Sequence, residues 1–242
     1  MRYFIDFSYD GTSYHGWQIQ PNANTVQAEL QRACSMALQS EVIVIGAGRT
    51  DTGVHARQMV AHFDTDTDLD CTHFAFRLNG ILPRDIAVNS VYPVSDDMHA
   101  RFSATRRTYH YYVHTAKDPF LDKYSLRLHY ILDYELMNKA AGILFEYEDF
   151  GAFCKAGSDV KTTLCSIYAA HWHQTSPTSW YFEISANRFL RNMVRAVVGT
   201  LVEVGRGKMS IDDFRKVIEG KSRSCAGESM PAKALFLEKI EY

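Results

Sequence analysis

The apolar residues of this chain change period several times, and that alternation restricts the fold more than any other feature. Tyr3, Ile5, Phe7 and Tyr9 alternate with Phe4, Asp6, Ser8 and Asp10, the period of a strand. A Gly- and Ser-rich loop over 11–21 follows. Val26, Leu30, Ala33, Cys34, Ala37 and Leu38 then take helical spacing behind a capping box of Asn24 and Gln27. Val42 to Ile45 predicts a short strand, with Gln58 to Asp64 as its partner across the loop Gly46 to Ala56. A short helix over 72–79 and a strand from Ile86 to Tyr92 come next. The succession then recurs. Tyr109, Tyr111 and Val113 alternate as a strand, 133–146 reads as a helix, and Tyr168 to His173 and Trp180 to Ser185 form a hairpin across the polar run Gln174 to Ser179. Leu190, Met193, Val194, Val197, Val198, Leu201 and Val202 make a helical stripe. Helices alternating with hairpin-connected strands predict an α+β fold with a mostly antiparallel sheet. No residue-level repeat marks an internal duplication.

Charge divides the chain. Residues 1–100 carry a net −6 and residues 101–242 a net +4 within a total of −2. With Ser95-Asp96-Asp97, this break predicts an N-terminal half over 1–100 and a C-terminal half over 101–242. The basic half permits an anionic partner, although such an excess is also common on solvated surfaces. Five scattered cysteines with no C-x-x-C pair suit reduced thiols. The start, Met1 to Asp6, has an acid where a signal peptide needs an apolar stretch. Phe189 to Val204 is interrupted by Arg191 and Arg195, so no membrane span is expected. The expected location is cytoplasmic.

Three constellations have the residue types that chemistry needs. Gly46-Ala47-Gly48-Arg49-Thr50-Asp51-Thr52-Gly53-Val54-His55 has three glycines that allow a sharp turn, and it presents Arg49, Asp51 and His55. It is not a dinucleotide fingerprint, because the third glycine is one residue late and no helical pattern follows. Spacing alone leaves a solvent-facing ion pair equally open. Arg101, Arg106 and Arg107 stand among Phe102, Tyr109, Tyr111 and Tyr112, a mixture that suits phosphates and unpaired bases. A core strand with charged ends fits the same composition. Arg191 and Arg195 fall on one flank of the last stripe, where they snorkel at a core edge or point into a cleft. His171-x-His173 lacks nearby carboxylate or cysteine ligands at metal spacing, so a surface strand is the better reading. The aspartates at 64, 66, 68 and 70 read as a solvated strand end.

Together these pieces resemble the tRNA pseudouridine synthase A family. The matches run in order along nearly the whole chain: Tyr9-Asp10-Gly11 with Gly16-Trp17-Gln18; Ala47-Gly48-Arg49-Thr50-Asp51-x-Gly53-Val54-His55; and Leu82-Pro83-x-Asp85-Ile86. They continue with His99-Ala100-Arg101-Phe102-Ser103-Ala104-Thr105, Tyr109-x-Tyr111, and Met193-Val194-Arg195 with Gly199. The resemblance implies a pseudouridine synthase fold, with a central antiparallel sheet built from two similar α/β halves and a cleft between them. It implies isomerisation of uridine to pseudouridine at positions 38, 39 and 40 of the tRNA anticodon stem-loop, by a homodimer with no cofactor and no metal. Asp51 matches the catalytic aspartate and Arg195 its arginine partner. Tyr109 matches the tyrosine that packs on the target uracil, and Arg49 the arginine that helps displace the base. Thr108 and His110 stand where the family usually has basic residues, and Ala234 where it commonly has glycine.

The chemistry suits these residue types. A carboxylate attacks sugar or base, or removes a sugar proton, and a guanidinium keeps it ionised. A flipped base needs a stacking face. Two readings from other classes are a tRNA-binding module without catalysis, against which intact Asp51, Tyr109 and Arg195 argue, and a metal-dependent hydrolase using His171 and His173.

Overall fold

A computed structural model describes residues 1–158 and 160–242. The regular elements are β1 (Arg2–Tyr9), α1 (Val26–Leu38), β2 (Ile45–Gly46), β3 (His55–Asp64), α2 (Cys71–Ile81), β4 (Ile86–Val94), β5 (Arg106–His114), β6 (Leu126–Arg127), α3 (Tyr134–Gly142), β7 (Ile167–Ser176), β8 (Ser179–Ala186), α4 (Met193–Gly205), α5 (Ile211–Glu219) and β9 (Leu235–Glu241). They form two compact units, Met1–Thr105 with Phe236–Tyr242, and Arg106–Leu235. A single cut near residue 100 does not anticipate the return of residues 236–242 to the first unit.

In the first unit β1 lies between β3 and β4, antiparallel to both. β2 pairs antiparallel with β3, and β9 joins β3 in parallel through His55↔Phe236 and Ala56↔Leu237. The central β1 buries Tyr3, Ile5, Phe7 and Tyr9 on one face, and on the other it buries Phe4 beside the half-buried Asp6 and Ser8. On one face Tyr3 stacks with Phe63, which meets Phe74 of α2. On the other, Phe4 meets Tyr92 and Tyr242. In the second unit β8 lies between β5 and β7, antiparallel to both, and β6 pairs with β5 in parallel. Tyr111, Phe182 and Trp172 fall in one cross-strand row and are buried. The mostly antiparallel α+β architecture is the one expected.

Local differences have identifiable causes. The cap of α1 is Thr25, whose hydroxyl accepts from Ala28 N, and not Asn24. Gln27 instead bridges Ile19 N and the Val44 carbonyl. Val42 and Val44 are buried outside the ladder, so their apolar pattern reports burial and the strand is only Ile45–Gly46. The β7–β8 hairpin turns at Pro177-Thr178, and its strands run through most of the polar stretch expected as loop. Asn192, at φ 66°, opens α4, so Leu190 and Arg191 precede the helix and Arg191 does not share a helical flank with Arg195. Asp70 caps α2 by accepting from His73 N, and Asp64 pairs with Arg2.

Candidate active site

The loop between β2 and β3 carries Arg49, Asp51 and, at its end, His55. It is seated on residues 9–18, far from it in sequence. Gly46 lies flat on Trp17, where a Cβ would come within 2.5 Å of the indole ring. Gly16 adopts φ +87°, and a Cβ there would stand 2.4 Å from the Thr50 carbonyl oxygen. Only glycine permits both that backbone angle and that approach. Trp17 N donates to the Thr50 carbonyl (3.3 Å), and the Tyr9 and Thr50 hydroxyls are bonded at 2.8 Å. Gly53 N donates to the Tyr14 carbonyl (3.3 Å), and Val54 N to the Asp51 carbonyl (3.1 Å). The chain is thus held on both sides of Asp51, which is half-buried, while Arg49 is exposed.

His55 is not presented to solvent. It is 1% exposed and stacks on Phe236 with ring centroids 4.5 Å apart. Its Nδ1 lies 3.0 Å from both Gly11 N and Asp10 Oδ1; the ring tautomer selects between them, since a bare nitrogen accepts and a protonated one donates. His55 therefore supports the segment that underlies the loop. Arg101 lies on a turn of the same unit. His99 Nδ1 accepts from Arg101 N and Phe102 N, His62 Nδ1 accepts from Ala100 N, and the Tyr242 hydroxyl donates to the Ala100 carbonyl. Burial, helped by nearby Arg2 and His99, pushes the His62 pKa down to about 4. The turn presents Arg101 over the Phe102 ring, 5.5 Å from its centroid.

The remaining candidates lie in the second unit. Tyr109 sits on β5 opposite Ile184, and Phe189 meets its ring edge-on at 5.1 Å. On the same strand Arg107 donates to the Asn187 carbonyl (2.6 Å), and Arg106 lies over Tyr168 (4.9 Å). Arg191 is exposed, and its carbonyl accepts from Lys155 N. Arg195 lies in the first turn of α4. Its Nε donates to the Met230 carbonyl (2.5 Å), and its own carbonyl accepts from Met230 N (3.1 Å). Bonding through Nε fixes the guanidinium plane and hence the direction of its donor fork. The segment bearing Met230 reaches the helix because Gly199 and Gly227 lie backbone to backbone. A Cβ on Gly199 would fall 1.8 Å from the Glu228 carbonyl oxygen.

Sequence reasoning singled out the ionisable residues and not their supports. Tyr14, Asp85, Trp17, Gly227 and Met230 carry no spacing signal, because their partners lie far away along the chain. Gly16, Trp17 and Asp85 were marked only as parts of motifs. Among the described residues no group of three His, Cys, Asp or Glu is placed to hold a metal ion. His171 meets Asn138, and His173 lies 3.7 Å from Glu183. Among the described residues no helix is long and apolar enough to cross a membrane.

Comparison with known proteins agrees with these motifs. A family model described as tRNA pseudouridine synthase matches residues 7–103 and 147–242. The chain is 57% identical over 243 residues to tRNA pseudouridine synthase A of Bacteroides thetaiotaomicron, covering 100% of this chain and 90% of the relative. It is 55% identical over 242 residues to that of Bacteroides fragilis, covering 100% and 96%. Against that of Bacillus subtilis it is 38% identical over 246 residues, covering 100% and 99%. With a matching family model over most of its length and relatives that span it end to end, the chain belongs to the tRNA pseudouridine synthase family, isomerases that act on tRNA.

Proposed function

We propose that the protein converts uridine to pseudouridine at positions 38, 39 and 40 of the tRNA anticodon stem-loop, with Asp51 as the catalytic carboxylate. The observation that carries this reading is the seating of Asp51. The family's A-G-R-T-D run forms an irregular loop whose backbone is bonded to a second segment at residues 50 and 53. A reacting group held at fixed height gains from preorganisation.

The reaction breaks the N1–C1′ bond, turns the uracil and forms a C5–C1′ bond; C5 loses its proton and N1 gains one. An ionised Asp51 acts as nucleophile or base in this sequence. Arg195, the residue that the family resemblance matches to the aspartate's arginine partner, contributes a guanidinium with a two-pronged donor edge. Tyr109 stacks on the extruded uracil, and exposed Arg49 helps displace it. Arg101, Arg106, Arg107 and Arg191 contact the tRNA backbone. His55 acts from behind the loop, through Asp10 and Gly11. The enzyme works as a homodimer in which one anticodon arm meets basic surface of both subunits.

The test is incubation with unmodified tRNA transcripts, followed by mapping of pseudouridine. Modification confined to 38–40 supports the reading, and modification elsewhere refutes the site assignment. Asp51→Asn is nearly isosteric but a poor nucleophile and base. It should abolish turnover while tRNA binding survives; activity within about tenfold of wild type removes Asp51 from the mechanism.

A further inference from the structure

We infer that Tyr14 and Asp85 are positioning residues for the isomerisation, and that the hydrogen bond between them sets where the loop holds Asp51. This inference rests on the reading of Asp51 as the catalytic carboxylate.

The Tyr14 hydroxyl donates to Asp85 Oδ1 at 2.6 Å. Tyr14 is buried, and Asp85 stands just before β4 in the Leu82-Pro83-x-Asp85-Ile86 turn. Asp85 also accepts through its backbone carbonyl from Asp10 N (2.9 Å). It therefore grips residues 10–14 at both ends, once through its side chain and once through its main chain. The far side of that grip is the active loop, since the Tyr14 carbonyl accepts from Gly53 N, two residues beyond Asp51. Gly53 is at φ +77°, so its peptide N–H takes an orientation that ordinary residues rarely allow. A path of hydrogen bonds and one rigid ring thus joins Asp85, Tyr14 and Gly53. The opposite flank is fixed separately, at Thr50, by Tyr9 and Trp17.

The Tyr14–Asp85 bond is short and is drawn to a carboxylate, the stronger kind of hydroxyl bond. Burial and the bond itself both hold the phenol in its protonated, donating form. Removing the hydroxyl leaves the ring in place, so the core stays filled while the tie is cut. What is lost is the height of the Gly53 peptide, and with it the direction of the Asp51 side chain.

The experiment compares Tyr14→Phe, Asp85→Ala, Asp85→Asn and the Tyr14→Phe/Asp85→Ala double variant in full-length protein. Single-turnover rate, tRNA affinity and thermal melting are measured together. A displaced carboxylate slows chemistry without loosening substrate, so Tyr14→Phe and Asp85→Ala should each lose about 10- to 100-fold in rate, with tRNA affinity within about threefold. An amide oxygen still accepts from the phenol, so Asp85→Asn should recover part of the rate. The double variant should be no slower than the slower single variant, since both cut one tie. A wild-type rate in Tyr14→Phe, losses that multiply in the double variant, or a loss confined to affinity would each overturn the inference. Asp51→Asn, assayed alongside, separates the two readings. If it is inactive while Tyr14→Phe is fully active, only the positioning role fails; if it is active, both fail.

Discussion

The backbone around Asp51 belongs to no regular element, whereas that around Arg195 is the first turn of a 13-residue helix. The loop holds its place through hydrogen bonds and three close glycine approaches, at Gly11, Gly16 and Gly46, that seat it on a segment well before it in the chain. The helix holds its place by burying nearly every residue after Arg195, and the close approach of Gly199 to residues 227–228, with the Gly227 N bond to the Thr200 hydroxyl, brings Met230 to the arginine. An irregular loop has no ladder to satisfy its peptides, so it needs specific distant partners. A helix satisfies its own and needs only a face to bury. Placing a short carboxylate demands the first arrangement, and placing a long guanidinium tolerates the second.

The largest expected effects break the glycine contacts on either side of this comparison. Gly16→Ala and Gly199→Ala each press a methyl into a carbonyl oxygen, and each should cost more than about 3 kcal/mol in denaturant unfolding. Gly16→Ala should also silence turnover under conditions where the variant remains folded. A folded and fully active Gly16→Ala variant would show that the loop does not depend on that seat.

Arg195→Lys probes the helix side. Lysine keeps the charge but lacks the Nε donor that meets the Met230 carbonyl. The rate should fall on the order of 10²-fold, the usual loss of one aimed donor, with helical circular dichroism unchanged. A wild-type rate would mean that charge alone suffices there and that the Met230 contact is incidental.

The turn bearing Arg101 gives a pH signature confined to the first unit. His62 is buried neutral, and protonation would remove its acceptance from Ala100 N. Its folded pKa of about 4 lies below the ordinary 6.5, so the unfolded chain binds the extra proton first. Its contribution to stability is full above pH 6.5, is lost as pH falls towards 4, and is flat below. The loss is on the order of 2–3 kcal/mol. Denaturant midpoints at about pH 7 and about pH 4.5 should show a smaller drop in His62→Gln than in the wild type. The smallest expected effect is at the head of α1. Thr25→Ala should cost about 1 kcal/mol and Asn24→Ala close to nothing, because Thr25 holds the cap. The reverse order would restore the cap to Asn24.

The same contrast explains what was legible in the sequence. Elements such as β1, α2, β5 and α4 follow from side-chain spacing, since their apolar residues recur at positions that packing buries. Their ends do not. Leu190 fits the helical stripe, yet the left-handed Asn192 stops the helix short of it. The β7–β8 strands run through most of a polar stretch because a solvent-facing surface of a hairpin accepts polar residues. At the site, the cluster of Arg49, Asp51 and His55 was visible as a spacing, but burial of His55 against Phe236 was not, because most of the chain separates them. Helix α5 escaped notice: it is nine residues long, and Phe214, Val217 and Ile218 are its only fully buried positions.

The return of residues 236–242 to the first unit has a consequence for how the protein is made. Phe236 covers the His55 ring, Thr105 N donates to the Glu241 carbonyl, and Tyr242 ties down the turn at Ala100. Although its other strands are made earlier, the Asp51-bearing unit lacks the strand that pairs with β3 at His55 and Ala56 until residues 236–242 have been made. Domains commonly fold in the order of synthesis; here the unit that holds Asp51 is completed by residues made after those of the second unit. A nascent chain stalled before residue 236 would hold every proposed catalytic residue and still leave the His55 ring without Phe236.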